Sequence, residues 1–258
     1  KPEYAAALFD RPEPTFRKKE FKEYKAQRPA APDELISQII AARDLFQKFG
    51  VRFFEKPGFE ADDLIATLAE RFRKERDVRV VILTGDLDTL QLVEDGKVVV
   101  RTFKKGVSDT FVYDEDAVRE RYGLNPAQMP DYKAFVGDPS DNIKGILGIG
   151  PKTAAGLLQK FGNIRNLYAN LEKEQKLGEK LRAAEQDVEF FKKLVTLDRY
   201  VPIEIQNLNI LKVSENREQL AKYFEVLGFE SLIKRLSGGG SPALKSAARE
   251  TVKPAPRS

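Results

Sequence analysis

The chain has 258 residues, 41% of them hydrophobic, and 44 Lys and Arg against 40 Asp and Glu give it a net charge of +4 and a pI near 9.0. It holds no His and no Cys, which excludes the usual zinc ligands and every His-dependent nucleophilic triad, and leaves hard oxygen ligands suited to Mg²⁺ or Mn²⁺. No apolar run nears the length of a membrane span and no signal peptide opens the chain, so a cytoplasmic protein without a membrane partner is expected, and its basic balance suits a polyanion.

In chain order, Tyr4 to Phe9 reads as a short buried strand ending at Asp10. A chain that starts almost inside a strand is expected to lack upstream sequence. Residues 11–32 form a basic and aromatic segment, with Arg17, Lys18, Lys19, Lys22, Lys25 and Arg28 interleaved by Phe16, Phe21 and Tyr24. Pro32 and Asp33 open a helix whose apolar positions Leu35, Ile39, Ala42, Phe46 and Phe49 step by fours and threes until Gly50 closes it. Val51 to Phe54 is a strand, and after Pro57-Gly58 a second amphipathic helix places Leu64, Ile65, Leu68 and Phe72 inside.

Val78 to Leu83 is a continuous apolar run, as expected for a central parallel strand covered on both faces. Val98 to Arg101 and Thr110 to Tyr113 read as edge strands. The pattern predicts an α/β domain over 1–113, built on a mostly parallel central sheet flanked by helices. At least six short helices punctuated by Gly and Pro predict a helical subdomain over 114–236. Residues 237–258, rich in Gly, Pro and small residues, read as a flexible linker.

Three signals carry chemistry. The first is the recurrence of acids just after strand-like runs: Asp10; Glu60, Asp62 and Asp63; Asp86 and Asp88; then Asp138 and Asp141 in a Gly-Asp-Pro-Ser-Asp-Asn turn. Open α/β sheets bind ligands beyond the carboxyl ends of their strands. Acids gathered there repel one another and rise in pKa unless cations sit among them. Taken singly, each cluster also serves as a helix cap or a turn.

The second signal is Gly145-Ile-Leu-Gly148-Ile-Gly150-Pro-Lys152-Thr153-Ala154, a glycine hairpin running into a helix N-terminus. Its backbone N–H groups suit DNA phosphates, and steric economy is the alternative use. The third is the basic segment, whose alternating cations and rings suit a single strand. Charge runs also serve as plain solvated faces.

These three signals in this order resemble the 5′ nuclease domain of bacterial DNA polymerase I and its relatives, the phage 5′ nucleases and flap endonucleases. The matching segments are Phe9-Asp10, Thr15-Phe16-Arg17, Tyr24-Lys25-Ala26-Gln27-Arg28, Glu60-Ala61-Asp62-Asp63, Thr84-Gly85-Asp86-Leu87-Asp88, Gly137 to Asn142 and Gly148 to Ala154. The resemblance implies a PIN-like sheet followed by a helix-hairpin-helix subdomain. It also implies a pair of Mg²⁺ ions, replaceable by Mn²⁺, held among Asp10, Glu60, Asp62, Asp63, Asp86, Asp88, Asp138 and Asp141. Those ions would activate water, orient the scissile phosphate and stabilise the leaving 3′ oxygen. Lys25, Arg28 and, more weakly, Arg17 fall on the positions that neutralise the scissile phosphate. Lys18, Lys19, Lys22, Gly148, Gly150, Lys152 and Thr153 fall on DNA-binding positions, with K⁺ at the hairpin carbonyls in some relatives.

The implied substrate is DNA with a 5′ flap or a nicked or gapped duplex, acted on in primer removal and repair. A polymerase domain is expected to follow, and the protein is expected to be a monomer. The family begins with a strand bearing an Asp-Gly motif that has no counterpart here, so the resemblance implies a truncated chain with an exposed sheet edge. The alternatives are a duplex-binding module without catalysis and a nuclease acting mainly on RNA; the hairpin argues against the second.

Overall fold

The computed structural model describes residues 2–106, 109–174 and 176–237; of the linker expected over 237–258, residues 238–258 lie outside them. The chain forms two compact units, one ending at Glu215 and one starting at Asn216.

The first unit carries five strands. β1 (Ala6–Leu8) pairs in parallel with β2 (Arg52–Phe54), while β3 (Val80–Leu83) pairs in parallel with β4 (Val98–Lys105), which is antiparallel to β5 (Asp109–Tyr113). The single central sheet expected from the sequence is therefore two small sheets, of two and three strands. Among the described residues, neither β1 nor β3 has a second strand partner. Val98–Arg101 is not an edge: β4 lies at the centre of its sheet, and Val98, Val99 and Val100 are all buried. The apolar run at β3 is covered on one face only. Ile82 points inward, while Val81 and Leu83 are 51% and 59% exposed, because side chains alternate along a strand.

The N-terminal segment holds α1 (Phe16–Glu20), followed by α2 (Asp33–Lys48). α2 is helical as its spacing predicts, but it contributes no buried residue. Its Phe46 meets the edge of Phe9, while Leu35 and Ile39 stay 46% and 38% exposed. α3 (Ala61–Phe72) links the two sheets. Leu68 and Phe72 pack with Ala6, Leu8, Phe54 and Val80, and Ala66 and Ala69 pack with Ile82, Val98 and Val100.

The helical part comprises α4 (Glu115–Tyr122), α5 (Met129–Val136), α6 (Pro151–Phe161), α7 (Ile164–Ala169), α8 (Gly178–Ala183) and α9 (Glu185–Val195). Phe135, Ile146, Ile149, Leu158, Leu167 and Leu181 form the centre of its core, so the hairpin between α5 and α6 is anchored by its own isoleucines. The second unit is α10 (Arg217–Val226) and α11 (Glu230–Leu236), with Leu220 and Phe224 buried.

Candidate metal centre and nucleic-acid interface

The acids stand just beyond strand ends in both sheets. Asp10 follows β1, Glu60 caps α3 after β2, and Asp86 and Asp88 follow β3. A fourth contribution comes from the loop after α5. Asp138 and Ile143 exchange backbone hydrogen bonds of 2.7 and 2.8 Å, closing a small ring that carries Asp138 and Asp141. Gly137 and Gly145 meet at its neck. A Cβ on Gly145 would collide with the Gly137 amide and the Phe135 carbonyl, so glycine there is a steric requirement. The hairpin starts immediately after this neck, with the Ile146 amide donating to the Phe135 carbonyl at 2.7 Å.

Asp88, Asp138 and Asp141 form the tightest group. Each offers an oxygen, all within 4.8 Å of one another, and among the described residues this is the trio so placed. Their side chains are 13%, 11% and 13% exposed. A hard oxygen set of this size suits a divalent cation. Asp62, Asp86 and Asp10 form a second group. Burial, then the negative charges of Asp86 and Asp10, push the Asp62 carboxyl up to about 7. Such crowding favours a bound cation over three bare carboxylates. The Asp10 carboxylate also accepts the Ala61 amide at 2.7 Å, capping α3.

Cations from the protein already sit among these acids. Lys25 Nζ lies 2.8 Å from Glu60 Oε1 and 3.8 Å from Asp141 Oδ2, and an Arg28 guanidinium nitrogen lies 2.8 Å from Asp141 Oδ1. The Tyr24 hydroxyl is buried 2.9 Å from both Glu60 and Asp141. Burial, then those two acids, raise its pKa, which keeps it a donor. The Lys25 amide donates to the Asp141 carbonyl, and Lys25 adopts φ 52°, a left-handed conformation costing a non-glycine residue on the order of 1 kcal/mol. Gln27 donates to the carbonyls of Pro139 and Ser140, so residues 24–28 dock on the Asp138–Asn142 loop.

Arg17 is placed differently from the other two expected catalytic cations. It is 1% exposed, makes two 2.7 Å bonds to Asp63, and donates to the carbonyls of Leu194 and Thr196. Asp63 is fully buried and also accepts the amides of Glu60 and Asp198. A carboxylate offers about four lone-pair sites, and these four donors use them. Asp63 thus has no lone pair left for a metal, while Glu60, its partner in the α3 capping box, lies 3.5 Å from the same guanidinium. The Arg17–Asp63 pair pins α1 to the start of α3, to the end of α9 and to the residues just after it.

The remaining expected DNA contacts divide. Lys19 and Lys22 are exposed, whereas Lys18 Nζ is committed to the carbonyls of Lys22 and Tyr24. At the hairpin, Gly148, Gly150 and Lys152 are exposed and Thr153 is half-buried. Sequence reasoning missed Lys133, which contacts Asp88 and lies 2.7 Å from Asp138, and Lys180, whose ammonium lies against Gly148. Lys133 stands five residues before Asp138 on the same turn of chain, a weak signal, and nothing in the sequence marks Lys180.

Two family models match consecutive parts of the chain: a 5′-3′ exonuclease N-terminal resolvase-like domain over residues 1–123 and a 5′-3′ exonuclease C-terminal SAM fold over 124–219. DNA polymerase I of Caldicellulosiruptor bescii is 40% identical over 240 residues, covering 92% of this chain and 28% of that protein. A 5′-3′ exonuclease of Aquifex aeolicus is 37% identical over 236 residues, covering 92% of this chain and 79% of that protein. The chain therefore spans under a third of the polymerase it matches and most of the separate exonuclease. Among solved structures, T5 5′-exonuclease with divalent metal ions (zinc) bound superposes with a TM-score of 0.62 at 25% identity, covering 90% of this chain and 81% of that one. The catalytic core of Rad2 in complex with a DNA substrate shares the fold, with a TM-score of 0.56 at 19% identity, over 90% of this chain and 76% of that one. No helix among the described residues is long and apolar enough to cross a membrane. The chain belongs to the 5′-3′ exonuclease family, its resolvase-like domain followed by the family's SAM fold.

Proposed function

We propose that this chain is a structure-specific 5′ nuclease that hydrolyses phosphodiesters at 5′ flaps or 5′ ends of duplex DNA, using divalent ions held by carboxylates. The observation that carries this reading is the convergence of Asp88, Asp138 and Asp141 within 4.8 Å beside a second acidic group around Asp62. The donor set is all carboxylate oxygen, which fits Mg²⁺ or Mn²⁺. Asp88, Asp138 and Asp141 would hold one ion and Asp10, Asp62 and Asp86 another, with Glu60 between the groups.

Bound ions of this kind supply activation of water and charge compensation at the leaving oxygen. The chain's own residues do the rest. Lys25 and Arg28 exchange their carboxylate partners for the scissile phosphate, neutralising charge that grows as the bond breaks. Gly148, Gly150, Lys152 and Thr153 offer the hairpin's amides and charge to the duplex backbone, with Lys180 beside them and K⁺ a candidate at the hairpin carbonyls. Lys19 and Lys22 face the 5′ single strand. Arg17 and Asp63 position this machinery without touching substrate.

The identity shared with polymerase I supports a polymerase domain on the same polypeptide, a cytoplasmic location and a role in primer removal or repair. The chain is assigned as a monomer. The test is incubation with a labelled 5′-flap duplex and Mg²⁺. Release of the flap, lost in Asp88→Ala and Asp138→Ala while the gel shift persists, is the expected result. A gel shift without product from the unaltered chain overturns the assignment in favour of a non-catalytic duplex-binding module.

A further inference from the structure

Lys133 holds the position most directly in conflict with a metal ion. It projects from α5, where its neighbours Ala134 and Phe135 are fully buried in the helical core and its carbonyl accepts the Gly137 amide at 2.8 Å, so its backbone is fixed. Its ammonium contacts Asp88 Oδ1 and lies 2.7 Å from Asp138 Oδ2, with the side chain 18% exposed. Asp88 arrives from the sheet side and Asp138 from the loop after α5, so this one cation ties together two segments whose like charges would otherwise repel. The ammonium directs N–H donors at one oxygen of Asp88 and one of Asp138, oxygens that a divalent ion also draws on for coordination. A divalent ion drawing on the same carboxylates competes with the ammonium for their charge and repels it at that distance.

We propose that Lys133 is a resident counter-cation of the Asp88–Asp138 pair, which a divalent ion must displace in order to bind. The inference rests on the nuclease reading only in requiring that these oxygens accept a divalent ion. Lys133 keeps the acids assembled without metal, and it lowers the metal affinity of the site it assembles. The backbone stays in place on loading, and the side chain rotates away. Arg28 and Lys25 do not fill this role at Asp88, since their partners are Asp141 and Glu60.

The test measures Mn²⁺ binding to the full chain, by calorimetry and by electron paramagnetic resonance of free Mn²⁺, for wild type, Lys133→Met and Lys133→Arg. Removing a positive charge a few ångströms from the ion is expected to tighten binding roughly tenfold, while Lys133→Arg stays near wild type. Equal or weaker binding by Lys133→Met overturns the proposal. Absence of Mn²⁺ binding by wild type overturns the nuclease reading with it, which separates the two failures.

A second measurement needs no variant. Acylation of the wild-type chain, read by peptide mass spectrometry with Mg²⁺ or with chelator, is expected to label Lys133 several-fold faster with Mg²⁺. Lys192, paired with Asp131 at 2.7 Å, serves as the unchanged control. Equal labelling of Lys133 in the two conditions overturns displacement.

Discussion

Two sets of ion pairs sit a few residues apart in the N-terminal segment and have opposite characters. Arg17 and Asp63 are 1% and 0% exposed, joined by a fork of two 2.7 Å bonds, with backbone groups on the remaining oxygen lone pairs of Asp63 and the carbonyls of Leu194 and Thr196 and the Glu60 carboxylate facing the rest of the guanidinium. Lys25 and Arg28 hold Glu60 and Asp141 with similar distances, but Lys25 is 25% exposed and Arg28 49%. Burial separates a fixed joint from an exchangeable contact. A buried pair cannot open without stranding a charge, whereas an exposed cation trades a carboxylate for water or a phosphate at little cost. The segment is thus anchored at Arg17 and left able to change partners eight residues later.

That contrast is broken most forcefully by Arg17→Met. Leaving Asp63 buried and unpaired is expected to destabilise the protein by about 3–5 kcal/mol, seen as a lower denaturant midpoint. A loss below about 1 kcal/mol would place Arg17 with the exchangeable cations. Lys25→Ala and Arg28→Ala sharpen the comparison from the other side. Each should lower flap cleavage by about a hundredfold while changing stability by less than about 1 kcal/mol, so single-turnover rates and melting curves on the same samples should diverge.

The smallest effect concerns Glu70, a nearly buried acid on α3 bound by Arg73, Lys74 and Arg199. The Arg73 hydrogen bonds, working against burial and helped by Lys74 and Arg199, hold its carboxyl down to about 2 from 4.5. A carboxyl lowered in the folded state adds stability that is fully present above about pH 4.5 and is lost as pH falls toward 2. Glu70→Gln should flatten that limb of the melting-temperature profile, and an unchanged limb would assign it to other acids.

The sequence disclosed what local chemistry decides. The helix at Asp33–Lys48 follows from its four-and-three spacing, and the hairpin from Gly145, Gly148 and Pro151. The acids beyond the strand ends follow from strands that stop just before them. It did not disclose what depends on distant partners. Arg17 and Lys25 look alike as basic residues beside aromatics, and only the carbonyls of Leu194 and Thr196 and the oxygens of Asp63 separate them. The apolar stripe of α2 and the outer face of β3 read as core because periodicity reports a face, not whether anything covers it. The division into two sheets was hidden for the same reason, since strand runs name strands but not their neighbours.

The central claim is that acids from separate strands and the loop after α5 jointly hold a divalent ion, and crystals grown with Mn²⁺ test it most directly. An anomalous difference peak bounded by the oxygens of Asp88, Asp138 and Asp141, with the Lys133 ammonium turned away, is the predicted result. Full Mn²⁺ saturation of the crystal with no peak at those oxygens, and Lys133 still bridging Asp88 and Asp138, would contradict it.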